Sequence, residues 1–139
     1  VGGYGWLYAG IDGARQVADF LDTAARAGIA LGPNNPLLLD CEDYTDGSFP
    51  SIATIHQAVA ECIRSGVNAG IYTGKWFWIG RLGNIQEFSM LPLWDAHYTG
   101  FPGLIAPTYG GWTLDTLAGT QWSGNPVDRS TFKAEYAAG

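Results

Sequence analysis

The sequence predicts an α/β protein, folded as one domain over residues 1–139, with a parallel sheet covered on both faces. Strand-like apolar segments alternate along the chain with segments of helical periodicity, which favours parallel pairing. Acidic and aromatic residues follow several of the predicted strands, and in such folds the site lies at the carboxyl ends of the strands. A chain of 139 residues is long enough for one domain with a substantial core.

The first predicted elements are a strand and an amphipathic helix. Residues 2–8 combine aromatic residues and glycine in a short strand-like run, and Asp12 is a suitable cap for a helix over 13–27. Gly28 is suited to end that helix. The apolar stripe with helical spacing consists of Val17, Phe20, Leu21 and Ala24.

The second pair of elements contains the most informative stretch of the chain. Residues 36–42 begin with proline and three leucines and end in acidic residues, which predicts a buried strand. Ser51 then caps a predicted helix over 52–65, and Gly66 ends it. The inner stripe of this helix consists of Ile52, Ile55, Val59 and either Cys62 or Ile63.

The second half of the chain continues the alternation less regularly. Residues 67–73 predict a strand, and a short tryptophan-rich helix follows Gly74, in which we expect Trp76, Phe77 and Trp78 to pack beneath the sheet. The remaining elements, in order, are a strand over 91–98, a Gly/Pro-rich loop over 100–112, a last strand over 118–123, and a turn leading into a short C-terminal helix.

Two carboxylates end the strand predicted over 36–42. Side chains alternate between the two faces of a strand, so Asp40 and Glu42 point to the same side and Cys41 to the opposite side. Repulsion and lost solvation at the end of a buried strand should keep one of the two protonated near neutral pH. A protonated carboxyl beside a charged one suits general acid catalysis, above all on a glycosidic bond.

Two other interpretations of these carboxylates remain open. Asp40 and Glu42 could cap loops or helix N-termini. Alternatively, Asp40, Glu42, Asp43 and Asp46 lie within seven residues and could bind a metal ion, although their spacing does not fit an EF-hand loop. We predict no metal and no cofactor, because the two histidines and two cysteines show no zinc spacing and no dinucleotide-binding fingerprint is present.

Composition excludes several classes of protein. Apolar residues make up 47% of the chain and charged residues only 14%, which is atypical of disordered segments and coiled coils. The net charge of −6, without a cluster of basic residues, argues against nucleic acid and anionic membranes as partners. No apolar run approaches the roughly 20 residues of a membrane span, and no basic signal-peptide segment is visible. Six tryptophans among so few charges are typical of sugar-binding enzymes and equally of a dense barrel core.

Five segments of the sequence form a recognisable set when taken in order. They are Gly3-Tyr4 with Gln16, Val17 and Phe20; residues 38–42; residues 70–73; residues 93–98; and Gln121-Trp122 with residues 126–128. Together they resemble the glycoside hydrolase family 25 lysozymes (Chalaropsis type), matching the third strand and following helix of that family, its Asp-x-Glu strand, its next strand, its Leu-Trp-x-Ala-x-Tyr strand and its C-terminal signature. Each motif is short, but the order of all five is fairly specific.

The resemblance implies a β/α barrel of the TIM type and an N-acetylmuramidase that cleaves peptidoglycan. Glu42 would be the general acid, Asp40 would stabilise positive charge or orient the substrate acetamide, and Asp128 would be a further carboxylate of the pocket. The substrate-binding residues would be Tyr4, Tyr72, Trp94, Tyr98 and Trp122.

The family barrel begins with two β-α units that have no counterpart in this sequence, so we expect a partial barrel, truncated at its N-terminus and without the aspartate of the first strand. A homodimer or a partner chain that completes the barrel would cover the open edges. The implied partner is bacterial peptidoglycan, and the implied setting is the bacterial cell wall, reached by a secreted or a phage-encoded enzyme such as an endolysin. The alternative function is a non-catalytic glycan-binding module of the same fold.

Overall fold

A computed structural model describes residues 2–137 as one curved, six-stranded sheet with its three longer helices packed on one face. The strands follow the chain in spatial order from one edge of the sheet to the other. They are β1 (Tyr4–Trp6), β2 (Leu37–Asp40), β3 (Ala69–Gly74), β4 (Leu93–Ala96), β5 (Leu117–Ser123) and β6 (Arg129–Phe132). The helices are α1 (Gly13–Arg26), α2 (Ile52–Arg64), α3 (Lys75–Leu82) and α4 (Ala134–Ala137).

The pairing confirms the predicted fold class of a partial β/α barrel. Strands β1 to β5 pair in parallel, and within the described residues the sheet does not close, because β1 and β6 lie at opposite edges. Strand β6 was not predicted. It pairs antiparallel with β5 and occupies part of the segment for which the sequence indicated only a turn.

The two long helices begin and end as their capping residues predict. The Asp12 side chain accepts a hydrogen bond from the backbone N–H of Ala14 at 3.3 Å, and the Ser51 hydroxyl accepts one from Thr54 at 3.1 Å. Gly28 and Gly66 follow the helices with φ of 71° and 73°, a conformation that favours glycine.

Helices α1 and α2 pack closely because α1 begins with a glycine. A Cβ added at Gly13 would lie 2.1 Å from the backbone oxygen of Thr54. No side chain fits at that distance, so the first turn of α1 lies directly against α2. This contact fixes two of the helices that cover the outer face of the sheet.

Alternation along the strands separates a core from a concave inner face. Leu37, Leu39 and Cys41 belong to one buried apolar cluster with residues of α1, α2 and α3, such as Val17 and Ile55. The predicted orientation of Cys41, away from the carboxylates, is therefore confirmed, and Cys41 and Cys62 are both buried free thiols.

The sheet curls so that side chains from its own strands meet across the inner face. The rings of Tyr4 on β1 and Trp94 on β4 lie 6.3 Å apart, although two strands separate them. At the amino end of the strands, Leu38 lines a small pocket together with Phe132 and Tyr136 of the last two elements. No helix within residues 2–137 is long and apolar enough to cross a membrane.

Candidate active site

A cleft of about 400 Å³ opens on the concave face at the carboxyl ends of the strands. We call it the acidic cleft. Its lining consists of Tyr4, Trp6, Asp40, Glu42, Tyr72, Trp94, Tyr98, Gln121 and Asp128.

Strand register builds the floor of the acidic cleft. Asp40 pairs with Trp6 on one side and with Tyr72 on the other, and Tyr72 pairs with Trp94. These four positions form one row across the sheet, so their side chains project to the same side at the spacing of the strands, about 4.8 Å. The strand register thus places the Asp40 carboxylate in one row with three aromatic side chains, those of Trp6, Tyr72 and Trp94.

Glu42 and Asp128 reach the cleft from segments beyond the strands. Glu42 lies two residues after Asp40, on the same side as the sequence predicted, and Asp128 immediately precedes β6. Seven of the eight predicted site residues therefore line one cleft.

Trp122, the eighth predicted residue, lies in an adjoining pocket. That pocket shares Tyr98 and Asp128 with the acidic cleft. The guanidinium carbon of Arg129 lies 5.8 Å from the centre of a Trp122 ring, and the indole N–H of Trp122 is buried without a hydrogen-bond partner in the described residues. Trp122 lies where the pairing of β5 with β6 shifts register, between Gln121 and Ser123.

Asp40 is the most deeply buried carboxylate of the cleft. Asp40 is only 4% exposed, and its Oδ1 has no hydrogen-bond partner among the described residues. Burial, together with repulsion from Glu42, raises the pKa of Asp40 to about 8. With this raised pKa, Asp40 is the carboxyl of the pair that is expected to keep its proton near neutral pH.

Glu42 is more accessible than Asp40, and its surroundings act on it in both directions. Burial raises the pKa of Glu42, and repulsion from Asp128 and Asp43 raises it further, whereas the nearby hydroxyl of Tyr72 lowers it. The balance is a raised pKa. A carboxyl group with these properties can give a proton to a ligand and take it back.

The cleft contains two residues that the sequence analysis did not predict as site residues. Trp6 lies on the same face of β1 as Tyr4, so strand periodicity contained that signal. The side-chain oxygen of Gln121 accepts hydrogen bonds from the hydroxyls of Tyr72 and Tyr98, the latter at 3.3 Å. Only the pairing of β4 with β5 brings Gln121 to this position.

The acidic loop after β2 is divided between different partners, which argues against a metal centre. Asp43 accepts a hydrogen bond from Nε of Arg81 at 2.9 Å, and Asp46 accepts bonds from Ser48. Within residues 2–137, no three His, Cys, Asp or Glu side chains are grouped so that they could hold a metal ion.

The tryptophan-rich helix α3 packs only partly as predicted. Phe77 and Trp78 are fully buried beneath the sheet, in agreement with the prediction. Trp76 is 50% exposed, which contradicts it, and stacks with Tyr98 at the edge of the acidic cleft with ring centres 6.1 Å apart.

Two curated relatives from Dictyostelium discoideum match the sequence over parts of their length. "Probable GH family 25 lysozyme 3" is 34% identical over 61 residues, which is 42% of this chain and 13% of that protein. "Counting factor 50" is 28% identical over 130 residues, which is 88% of this chain and 42% of that protein. The match thus spans less than half of each relative. No protein-family model matches the sequence.

Two solved structures are similar over nearly the whole chain. The structure of a family GH25 lysozyme from Aspergillus fumigatus superposes with a TM-score of 0.75 at 24% identity, covering 96% of this chain and 68% of that one. The structure of a muramidase from Trichobolus zukalii gives a TM-score of 0.72 at 25% identity, covering 96% of this chain and 67% of that one.

Proposed function

Because the chain has the fold of the family 25 lysozymes, we propose that it is a peptidoglycan hydrolase that cleaves the β-1,4 bond between N-acetylmuramic acid and N-acetylglucosamine. One observation carries this proposal: Asp40, Glu42 and Asp128 line a single aromatic-walled cleft at the carboxyl ends of the strands. Carboxylates for proton transfer and aromatic faces for sugar rings are the two requirements of a glycosidase.

Glu42 is the proposed general acid and base. It lines the cleft, it is less buried than Asp40, and its pKa is raised, so that it carries a transferable proton closer to neutral pH. Glu42 gives that proton to the glycosidic oxygen as the bond from C1 of the sugar to that oxygen breaks. It takes a proton from the water that completes hydrolysis.

Asp40 is the proposed electrostatic partner of Glu42. It stabilises the positive charge that develops at C1, or orients the substrate acetamide so that the acetamide oxygen attacks C1. An acetamide N–H that donates to Asp40 favours the ionised form of this carboxyl. The negative charge on Asp40 then disfavours a negative charge on Glu42 and raises the pKa of Glu42 further. Substrate binding therefore shifts the proton from Asp40 to Glu42, the general acid that donates it.

The aromatic residues are the proposed sugar contacts. Tyr4 is 67% exposed and Trp94 is partly exposed, so each offers accessible ring surface to a pyranose ring. Tyr72 and Tyr98 are oriented by Gln121, and their hydroxyl oxygens can accept hydrogen bonds from sugar hydroxyls. Trp122 would bind the glycan beyond the acidic cleft, in the adjoining pocket, and Asp128 would hydrogen-bond the sugar between the two.

The direct test is the clearing of a turbid suspension of bacterial cell walls together with the release of reducing ends. We expect Glu42→Gln to reduce the rate by about 10²–10⁴-fold, the usual contribution of general acid–base catalysis. Glu87→Gln makes the same chemical change on the exposed surface, beside His56, and should leave the rate unchanged. A Glu42→Gln enzyme that clears walls at the wild-type rate would refute the role given to Glu42.

The second candidate function is a non-catalytic glycan-binding module, which the large aromatic share of the cleft lining favours. Aromatic stacking binds a glycan chain whether or not proton transfer follows. Cosedimentation with cell walls, without release of reducing ends by the wild-type chain, would identify this function instead of hydrolysis.

We also propose that the protein acts outside the cytoplasm, on the bacterial cell wall, as a secreted or phage-encoded protein. Association that covers the edge of the sheet stays a prediction. Among the described residues β1 pairs only with β2, and light scattering across a concentration series tests whether a homodimer or a partner chain covers its free edge.

A further inference from the structure

A second cavity, of about 260 Å³, lies beside the acidic cleft and shares Tyr98 with it. We call it the side cavity. It opens on the opposite face of β4 from Trp94, because Asp95, the next residue, points the other way. The stacked rings of Trp76 and Tyr98 form its wall, inclined by only 26°.

The base of the side cavity is a buried carboxylate that the proposed reaction does not use. Asp95 is 1% exposed, and its Oδ1 accepts a hydrogen bond from the hydroxyl of Tyr109 at 2.6 Å. Its Oδ2 lies 3.8 Å from Nδ1 of His97, which is too far for a hydrogen bond. A carboxylate with a single neutral donor is under-compensated for its burial, so a further N–H donor in the cavity would stabilise it.

The mouth of the side cavity carries the opposite charge. Lys75 lines the cavity and donates a hydrogen bond to the hydroxyl of Thr108 at 3.1 Å, with its ammonium group exposed. A cation at the mouth, a carboxylate at the base and an aromatic wall between them match a ligand with N–H donors, small apolar side chains and a carboxylate. These are the features of a short peptide.

The position and size of the side cavity indicate which peptide would fit in it. The cavity is smaller than the roughly 300–1,000 Å³ of sites that hold complete small ligands, so it suits one part of a larger substrate. It shares Tyr98 with the acidic cleft, so a substituent on a sugar bound in the cleft could extend past Tyr98 into the side cavity. In peptidoglycan, the substituent of the muramic acid ring is a lactyl group that carries a short peptide.

We propose that the side cavity is a subsite for the peptide attached to the muramyl residue. Asp95 accepts a hydrogen bond from a peptide N–H, Lys75 binds a peptide carboxylate, and Trp76 packs against the side chains. The inference rests on the proposed peptidoglycan substrate, and it adds that the protein distinguishes glycan with peptides from bare glycan.

Binding of two small ligands tests this subsite without requiring catalysis. Muramyl dipeptide contains the sugar and the first two amino acids, whereas N-acetylmuramic acid contains the sugar alone. We expect the wild-type chain to bind the dipeptide about tenfold more tightly in calorimetry or NMR titration, the effect of one hydrogen bond or ion pair to a charged group. We expect Lys75→Ala and Asp95→Asn to abolish the difference while affinity for N-acetylmuramic acid stays the same.

Arg15→Ala is the matched control, because it removes one exposed cation from α1 and should preserve the preference. Lys75 is exposed, so its variant keeps the test valid if Asp95→Asn does not fold. Equal affinity of the wild-type chain for the two ligands, or no measurable binding of either, overturns the proposal, as does a preference that survives Lys75→Ala. A preference for the dipeptide in a chain that releases no reducing ends would support the subsite and reject the hydrolase.

Discussion

The two faces of strand β2 show how one short segment serves two purposes. On the helix side, Leu37, Leu39 and Cys41 are all at most 2% exposed and lie in one apolar cluster. On the concave side, Leu38 closes the bottom of the sheet, and Asp40 and Glu42 line the acidic cleft above it. Residues that are neighbours in sequence thus lie in opposite chemical environments.

The two faces of β2 differ in their contribution to folding stability as well as in polarity. Burial of the leucines on the helix side stabilises the fold by about 1.5–3 kcal/mol for each side chain. On the concave side, Asp40 is buried with an unpartnered oxygen and its pKa is raised, which lowers the stability of the folded state at neutral pH. Apolar packing on the helix side of β2 therefore offsets the stability that is lost by burying Asp40 on the concave side.

The largest expected loss of packing energy comes from the helix side. Leu39 is fully buried, so Leu39→Ala leaves a cavity and should reduce the free energy of unfolding by about 2–5 kcal/mol, measured by urea denaturation. Wall-clearing activity per folded molecule should change little. Ile63→Ala, on the exposed side of α2, should cost far less. A loss below 1 kcal/mol for Leu39→Ala would contradict the assignment of this face as the stabilising one.

The next effect is the pH dependence that Asp40 confers. In the unfolded chain Asp40 titrates near its ordinary value of 3.8, and in the folded chain its pKa is about 8. Between these values the folded state holds a proton that the unfolded state has lost, so the contribution of Asp40 to stability is greatest below pH 3.8 and falls as pH rises towards 8. The slope for one such proton is about 1.4 kcal/mol per pH unit.

Asp40→Asn isolates this contribution because asparagine does not ionise. The difference in unfolding free energy between the Asp40→Asn variant and the wild type should grow in favour of the variant from pH 4 to pH 8. Asp19→Asn, on the exposed side of α1, is the matched control because it makes the same chemical change away from the acidic cleft. A wild-type chain that becomes more stable over this interval relative to Asp40→Asn would refute the raised pKa.

The smallest effect tests how the cleft face adjusts Glu42. The hydroxyl of Tyr72 lowers the pKa of Glu42, so Tyr72→Phe should raise that pKa. The alkaline limb of the pH–rate profile of hydrolysis should then move to higher pH, because the acid keeps its proton longer. Loss of the hydrogen bond to Gln121 should cost about 0.5–1.5 kcal/mol of stability. Tyr8→Phe, on an exposed tyrosine beside Tyr44, is the control and should leave the alkaline limb in place.

The sequence predicted most helices and strands because capping residues, helix-ending glycines and apolar periodicity act over only a few residues. Capping residues at Asp12 and Ser51 and glycines at 28 and 66 predicted α1 and α2 closely. Strand β6 escaped prediction because Arg129–Phe132 has no apolar alternation and is stabilised by antiparallel pairing with β5. Trp76 was misplaced for a similar reason: residue type does not reveal which side of a short helix meets the core.

The sequence by itself determined the alternation of strands and helices, the orientation of Asp40 and Glu42 to one side and the burial of Cys41 on the other. These properties follow from the two-residue period of a strand and the 3.6-residue period of a helix, which act over a few residues. Only the tertiary structure decided that Asp128 and Gln121 join the carboxylates of β2, that Trp122 lies outside their cleft, and that Asp95 faces a separate cavity. Curvature and register of the whole sheet control those placements, because they join residues that are far apart in the chain.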